Sequence, residues 1–246
     1  MTLPSGIHIG TSGWNYADWN GHFYPANTKD AHMLATYAES FGTVEVNSTF
    51  YNLPKRQTVK TWSQQVPDDF IFVVKASRYI THMKKLKNPE QPLNRLYRII
   101  EVFGDQLGPV LFQFPPNWQV NLQRLDQFLK TLSQDFQYTF EFRDESWHCD
   151  AVYERLQAHN AAFCFFDYQK KQTPRRHTAD FAYMRMHGPH QQAYKGSYAS
   201  SALDQNAQNC RNSRKSGRAV FCYFDNDQKA CAPHDAMRLL KRIRGT

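Results

Sequence analysis

Eight short apolar runs recur along the chain, at 7–12, 43–49, 70–77, 110–114, 138–144, 162–167, 181–187 and 219–227, and most finish on polar or charged residues. Each has the length of a β-strand. Six of the stretches between them are long enough for a helix and patterned like one. Apolar stripes of helical spacing run through 30–40 (Met33, Leu34, Tyr37, Ala38, with Phe41 just beyond), 92–102, 121–132, 151–158 and 235–243. Thr28 or Asp30 is placed to cap the first of these, and Pro233 to open the last. Between the sixth and seventh runs only TPRRHTAD is found, with Pro174 and no apolar period, so the sixth helix is expected to be missing or a single turn. Strand and helix alternating eight times over predict a (β/α)8 TIM barrel formed as one domain over 1–246.

Side chains alternate along a strand, so one set faces the helices and the other fills the barrel. The apolar sets Val44/Val46, Phe72/Val74/Ala76, Val110/Phe112/Phe114, Phe140/Phe142, Cys164/Phe166, Ala182/Met184/Met186 and Val220/Cys222/Phe224 are assigned to the outer layer. The opposite parity then points inward: Ser12, Glu45, Asn47, Lys75, Ser77, Gln113, Glu141, Arg143, Asp167, Arg185, His187, Tyr223 and Asp225. Barrel interiors are filled mainly by branched apolar side chains, and buried charge is costly unless paired. So many polar groups at the strand ends, where barrels house their chemistry, predict a ligand site built on a compensated charge network.

Composition changes this picture little. No basic stretch leads into a long apolar run at the start, and no apolar stretch approaches the roughly 18 residues of a membrane helix, which predicts a protein without signal peptide or span. The five cysteines show no CxxC spacing, and Cys164 and Cys222 fall inside strands, which fits a reduced cytoplasmic protein. The net charge of +8 favours acidic partners. Lys84, Lys85 and Lys87 follow the third strand, and Lys170, Lys171, Arg175, Arg176 and His177 follow the sixth, so both runs belong on the active rim. Arg211, Arg214, Lys215 and Arg218 belong nearer the opposite end. No signal for an oligomeric state is present.

The segments GTSGWNYADWNGHFYP (10–25), VEVNSTFYNLP (44–54), FVVKASRYITH (72–82), GPVLFQFPP (108–116), EFRDESW (141–147), YMRMHG (183–188) and YFDNDQKACAPHDA (223–236) span nearly the whole chain. Together they resemble the YecE-like family, domain of unknown function 72. The resemblance implies a TIM barrel and carries no settled activity. In the last segment the family commonly has asparagine where Asp235 stands here.

Three chemistries compete for the strand-end residues. A carboxylate pair among Glu45, Glu141, Asp167 and Asp225 would suit glycoside cleavage. Glu45, Glu141, His187, Asp225 and His82 would suit a divalent metal, as in barrel endonucleases, but Lys75, Arg143 and Arg185 repel a cation and no HxH or HExxH pair exists. The third fits the charges better: arginine forks bind phosphate bidentately, and the loops carry rings to hold a base or sugar. The expectation is therefore a hydrolase or lyase acting on an anionic, phosphate-containing small molecule or nucleic-acid fragment. Catalysis is assigned to His187, Glu45, Glu141 and Asp225. Ligand binding is assigned to Lys75, Arg143, Arg185, Asn47, Gln113, Trp14, Tyr51, His82, Trp147 and Tyr223. No metal ligand and no cofactor is assigned. The alternatives are a non-catalytic ligand or nucleic-acid binding module and a metal-dependent hydrolase. No P-loop or dinucleotide fingerprint is present, and GTSG (10–13) lacks the context of a Rossmann turn.

Overall fold

In the computed structural model, which describes residues 6–169 and 171–245, all eight apolar runs are strands. They are β1 (Ile7–Thr11), β2 (Thr43–Val46), β3 (Ile71–Lys75), β4 (Leu107–Phe114), β5 (Tyr138–Phe142), β6 (Ala162–Tyr168), β8 (Phe181–Met186) and β9 (Ala219–Phe224), with a two-residue β7 (Lys171–Gln172) folded back antiparallel on β6. The eight pair in parallel in the order β1-β9-β8-β6-β5-β4-β3-β2, a nearly closed TIM barrel of one domain.

The helices are α1 (Asp30–Ala38), α2 (Ser48–Tyr51), α3 (Arg56–Gln64), α4 (Glu90–Ile100), α5 (Leu122–Thr131), α6 (Asp150–Ala158), α7 (Ser200–Lys215) and α8 (Cys231–Arg244). As the Pro174 segment implies, no helix joins β6 to β8 among the described residues. Lys29 rather than Thr28 or Asp30 stands at the N-cap of α1, without a side-chain cap. The last helix starts before Pro233, leaving the proline inside its first turn, where a missing N–H costs nothing. Asn121 caps α5 by accepting from the Arg124 amide at 2.9 Å.

Closure between β1 and β2 is not a ladder. The two strands touch through a single bridge, Ser12 opposite Glu45, with the Gly13 amide donating to the Glu45 carbonyl at 2.8 Å. Further down, the Tyr37 hydroxyl from α1 is wedged between the strands: it accepts from the Thr11 amide at 2.9 Å and donates to the Thr43 carbonyl at 3.0 Å. Gly10 makes room for this, since a Cβ there would lie 2.3 Å from the Thr43 oxygen.

Two apolar layers flank the barrel wall. The outer one holds Val44, Phe72, Phe112, Phe140, Phe142 and Val220 against the helices, as the parity reading expects. The inner one comprises Val73, Leu111, Cys164, Phe166, Tyr183, Phe221 and Tyr223. Strand β6 corrects the sequence reading: Cys164 and Phe166 face inward, and Phe163 and Phe165 face the helices. Asp167 therefore leaves the barrel interior. Its carboxylate accepts instead from the His187 amide at 2.8 Å and the Tyr198 hydroxyl at 2.6 Å.

Candidate functional site

Above the inner apolar layer, Arg185 on β8 occupies the barrel axis, fully buried. Three carboxylates surround it. Nε and Nη2 donate to the two oxygens of Glu45 at 3.0 and 2.7 Å, a bidentate fork. Nη1 donates to Glu141 at 2.7 Å, and Nη2 donates also to Asp225 at 3.0 Å and the Ser12 hydroxyl at 3.2 Å. Ser12 and Tyr183 each donate a 2.6 Å hydroxyl bond to Glu45. Burial opposes the guanidinium charge, but Glu45, Glu141 and Asp225 outweigh it and hold Arg185 well above its usual range. Burial likewise works against the Glu141 carboxylate, yet Arg185, Arg143 and His187 hold it well below its usual value.

His187, just past the end of β8, closes the network. Nδ1 lies 2.9 Å from Asp225 and Nε2 lies 3.5 Å from Glu141. Tyr168 and Tyr194 meet its ring edge-on, at 5.7 and 5.6 Å between centroids. Tyr194 is held there by its amide, which donates to the His187 carbonyl, and it adopts a positive φ of 66° that a non-glycine residue rarely takes.

Two cations stand nearer the opening. Arg143 donates from Nε to Glu141 at 2.8 Å and from Nη1 to the Tyr194 hydroxyl at 3.1 Å, while its guanidinium stacks on Tyr168 at 4.3 Å. Its Nη2 makes no hydrogen bond among the described residues. Lys75 ends β3 with Nζ 4.3 Å from the Phe50 ring centre and forms no ion pair among the described residues. Burial, then the positive field of Arg185, brings its ammonium down to about 8. Beside it His82 is half-buried and brought down to about 4 by burial and by Lys75, Arg143 and Arg78, so it is neutral at pH 7.

The structure thus brings Glu45, Glu141, Arg143, Arg185, His187 and Asp225 into one hydrogen-bonded network, with Lys75 and His82 at its edge. Arg185 is corrected from ligand binder to hub, because its donors are already taken by carboxylates. Other expected binders lie elsewhere. Trp147 is buried in the outer layer, stacked on Phe142 at 4.6 Å, with its indole N–H on the Trp118 carbonyl at 2.6 Å. Tyr223 lies beneath the charge layer, hydrogen-bonded to Thr43 at 2.7 Å. Gln113 turns its amide onto the Phe114 carbonyl at 2.8 Å. Tyr51 is on the outer rim, 73% exposed. Trp14 and Asn47 line a cavity beside the barrel mouth rather than the charged cluster.

Asp227 was not singled out as a catalytic residue by its sequence, although the FDND turn contains it. It lies two residues beyond Asp225, and burial together with the Asp225 charge raises it to about 9, so it is a neutral acid at pH 7. Its Oδ1 is buried and without a hydrogen-bond partner among the described residues. Beyond it the loop passes through two consecutive left-handed residues, Lys229 and Ala230. Asp235 is a buried anchor that accepts from Ser197, the Tyr198 amide, Asn226 and Arg238.

Two of the rim cations are ion-paired, whereas Lys84, Lys85, Lys87 and Arg175 form no ion pair among the described residues. Lys171 pairs with Glu145 at 2.6 Å and Arg176 with Asp150 at 3.8 Å, while Lys170 lies outside the described residues. Among the described residues no group of three or more histidine, cysteine or acidic side chains is arranged to hold a metal ion.

A family model described as "Protein of unknown function DUF72" matches residues 8–246. The chain belongs to the DUF72 family. Among DUF72 relatives, the UPF0759 protein YunF of Bacillus subtilis is 27% identical over 157 residues, 61% of this chain and 55% of that protein. The UPF0759 protein YecE of Escherichia coli K12 is 29% identical over 138 residues, 56% of this chain and 48% of that one. The chain thus spans about half the length of the curated relatives it matches. A DUF72 crystal structure from Thermotoga maritima superposes with a TM-score of 0.86 at 27% identity, covering 97% of this chain and 99% of its own. One from Enterococcus faecalis gives 0.83 at 15% identity, over 98% and 96%, a likeness of fold.

Proposed function

We propose that this DUF72 barrel is an acid–base enzyme, a hydrolase or lyase, for an anionic small molecule bearing a phosphate or carboxylate. The anion is received at the mouth by Lys75 and Arg143, with Arg78 and His82 behind them. The observation that carries this reading is Lys75, an enclosed ammonium without an ion-pair partner among the described residues, next to Arg143 and Arg185, which are both paired with Glu141. An anion binding there supplies the missing charge and offers Arg143 a better acceptor than the neutral Tyr194 hydroxyl.

The chemistry follows from two carboxyls pushed in opposite directions. Burial works against the Asp225 charge, but Arg185 and His187 hold it below the usual aspartate value, whereas Asp227 stays protonated to about pH 9. Such a split assigns base and acid. Asp227 donates a proton to a leaving group, and the Asp225–His187 pair accepts one from a nucleophile or substrate carbon. Tyr194 roofs His187, so its strained loop moves aside when substrate enters. Arg185 positions Glu45, Glu141 and Asp225 without touching substrate. A reducing cytoplasm suits the chain, whose five cysteines are all free. Among the described residues no helix is long and apolar enough to cross a membrane.

The second reading is a non-catalytic binder of small anions or nucleic-acid fragments. It is favoured by the full burial of Arg185 and His187 and by their mutual satisfaction. Single-turnover incubation with nucleotides and sugar phosphates separates the two. The enzyme consumes a substrate and loses that turnover in Asp227→Asn while still binding it. Saturable retention without consumption across the panel identifies the binder and refutes the catalytic reading.

A further inference from the structure

A cavity of about 570 Å³ lies beside the charged mouth, between the first βα loop, α1 and α3. That is within the range of small-molecule pockets. Gly13 and Asn47 form its inner wall, next to the Ser12–Glu45 bridge, and Trp14, Trp62, Gln57, Thr58, Thr61 and Gln65 form much of the rest. Its charge is unlike that of the mouth. In a chain of net charge +8, no lysine, arginine or histidine lines this cavity, and Asp30 is its one formal charge. An anion has no cationic partner here.

Asn47 Oδ1 is buried and accepts no hydrogen bond among the described residues, an expensive state for an amide oxygen. Trp14 and Trp62 meet edge to face, 5.2 Å between centroids at 86°, forming an apolar corner. Neither indole N–H is hydrogen-bonded among the described residues. Around that corner stand amides and hydroxyls, which both donate and accept.

From this we infer that the cavity is a binding site for a neutral polyhydroxylated ring, a sugar, whose apolar face packs in the Trp14–Trp62 corner and whose hydroxyls meet the uncharged amides and hydroxyls of the wall, Asn47 among them. Neutral hydroxyl groups suit a wall of uncharged donors and acceptors, and the ring's C–H face suits an indole. The site is independent of the anion reading, because it shares none of Lys75, Arg143 or His82.

The test is saturation-transfer NMR and tryptophan fluorescence titration of the whole chain with glucose, N-acetylglucosamine and xylose. Adenosine and sulfate serve as contrasts. At least one sugar saturates in the millimolar range. Trp62→Ala and Asn47→Ala each weaken it tenfold or more, and sulfate binding changes less than twofold. Gln57→Trp, an exposed rim residue, fills the cavity and abolishes sugar binding even if the other variants fold poorly. Three results each overturn the inference: no sugar saturates, sugar binding survives Gln57→Trp, or adenosine alone occupies the cavity.

Discussion

Replacing Arg185 by methionine removes the hub while roughly keeping its volume. Five groups lose a donor: Glu45 loses two bonds, and Glu141, Asp225, Ser12 and His187 lose one each. Glu141 keeps Arg143 and His187, and Asp225 keeps His187. Glu45 keeps only the hydroxyls of Ser12 and Tyr183, so it is left as a buried carboxylate without a cation. Stranding one charge of a buried pair costs about 3–5 kcal/mol. With an m-value of about 3 kcal/mol/M, the urea midpoint falls by roughly 1–2 M. Tryptophan fluorescence during urea unfolding at pH 7.5 measures the shift. The double variant Glu45→Gln with Arg185→Met removes the stranded charge, so it is more stable than Arg185→Met alone. A loss below about 1 kcal/mol, or a double variant as weak as the sum of the singles, would refute the hub.

Lys75 titrates near 8, so sulfate, which keeps one charge state across the range, binds more weakly as pH rises from 7 to 9.5. Calorimetric titration of Lys75→Met shows weaker binding without that inflection. Asp227, raised to about 9, is neutral in the fold but ionises near 3.8 when unfolded, so it stabilises fully below 3.8 and that stability is lost as pH rises towards 9. Denaturation across pH 4–9 therefore shows a decline that Asp227→Asn flattens. Trp147→Ala removes a buried core ring and costs about 3–5 kcal/mol. Sulfate affinity of its folded fraction matches the parent, because Trp147 does not reach the mouth.

Where one face of a strand is apolar and the other polar, the site was legible. On β5, Glu141 alternates with Phe140 and Phe142, and on β8, Arg185 alternates with Met184 and Met186, which fixes the inward parity. Strand β6 reads AFCFFDY, apolar on both faces, so alternation carries no direction and Asp167 was misplaced. Trp147 follows a strand end, as a ligand-binding ring would, but the short 3-10 turn Glu145–Trp147 folds it back under Phe142. Helix α7 was not individually placed because its buried face includes Asn206 and Ser213, which blur the apolar stripe. The Trp14–Trp62 cavity joins residues of separate elements that no spacing connects.

The seam between β1 and β2 also bears on how the chain assembles. Ile7 lies opposite Val220, so β1, made before all the other barrel strands, finds its ladder partner only when β9 has been made. Until then β2 to β6 can pair neighbour by neighbour, each strand with the next in sequence. Strand β1 meanwhile has only the Tyr37 wedge and the Ser12–Glu45 bridge to tie it to the growing sheet. Closing this barrel is therefore a long-range event that draws together its first and last strands, and such contacts form slowly. The charged hub spans the same gap, with Glu45 on one side and Arg185 and Asp225 on the other, so the site is complete only when synthesis has passed them all.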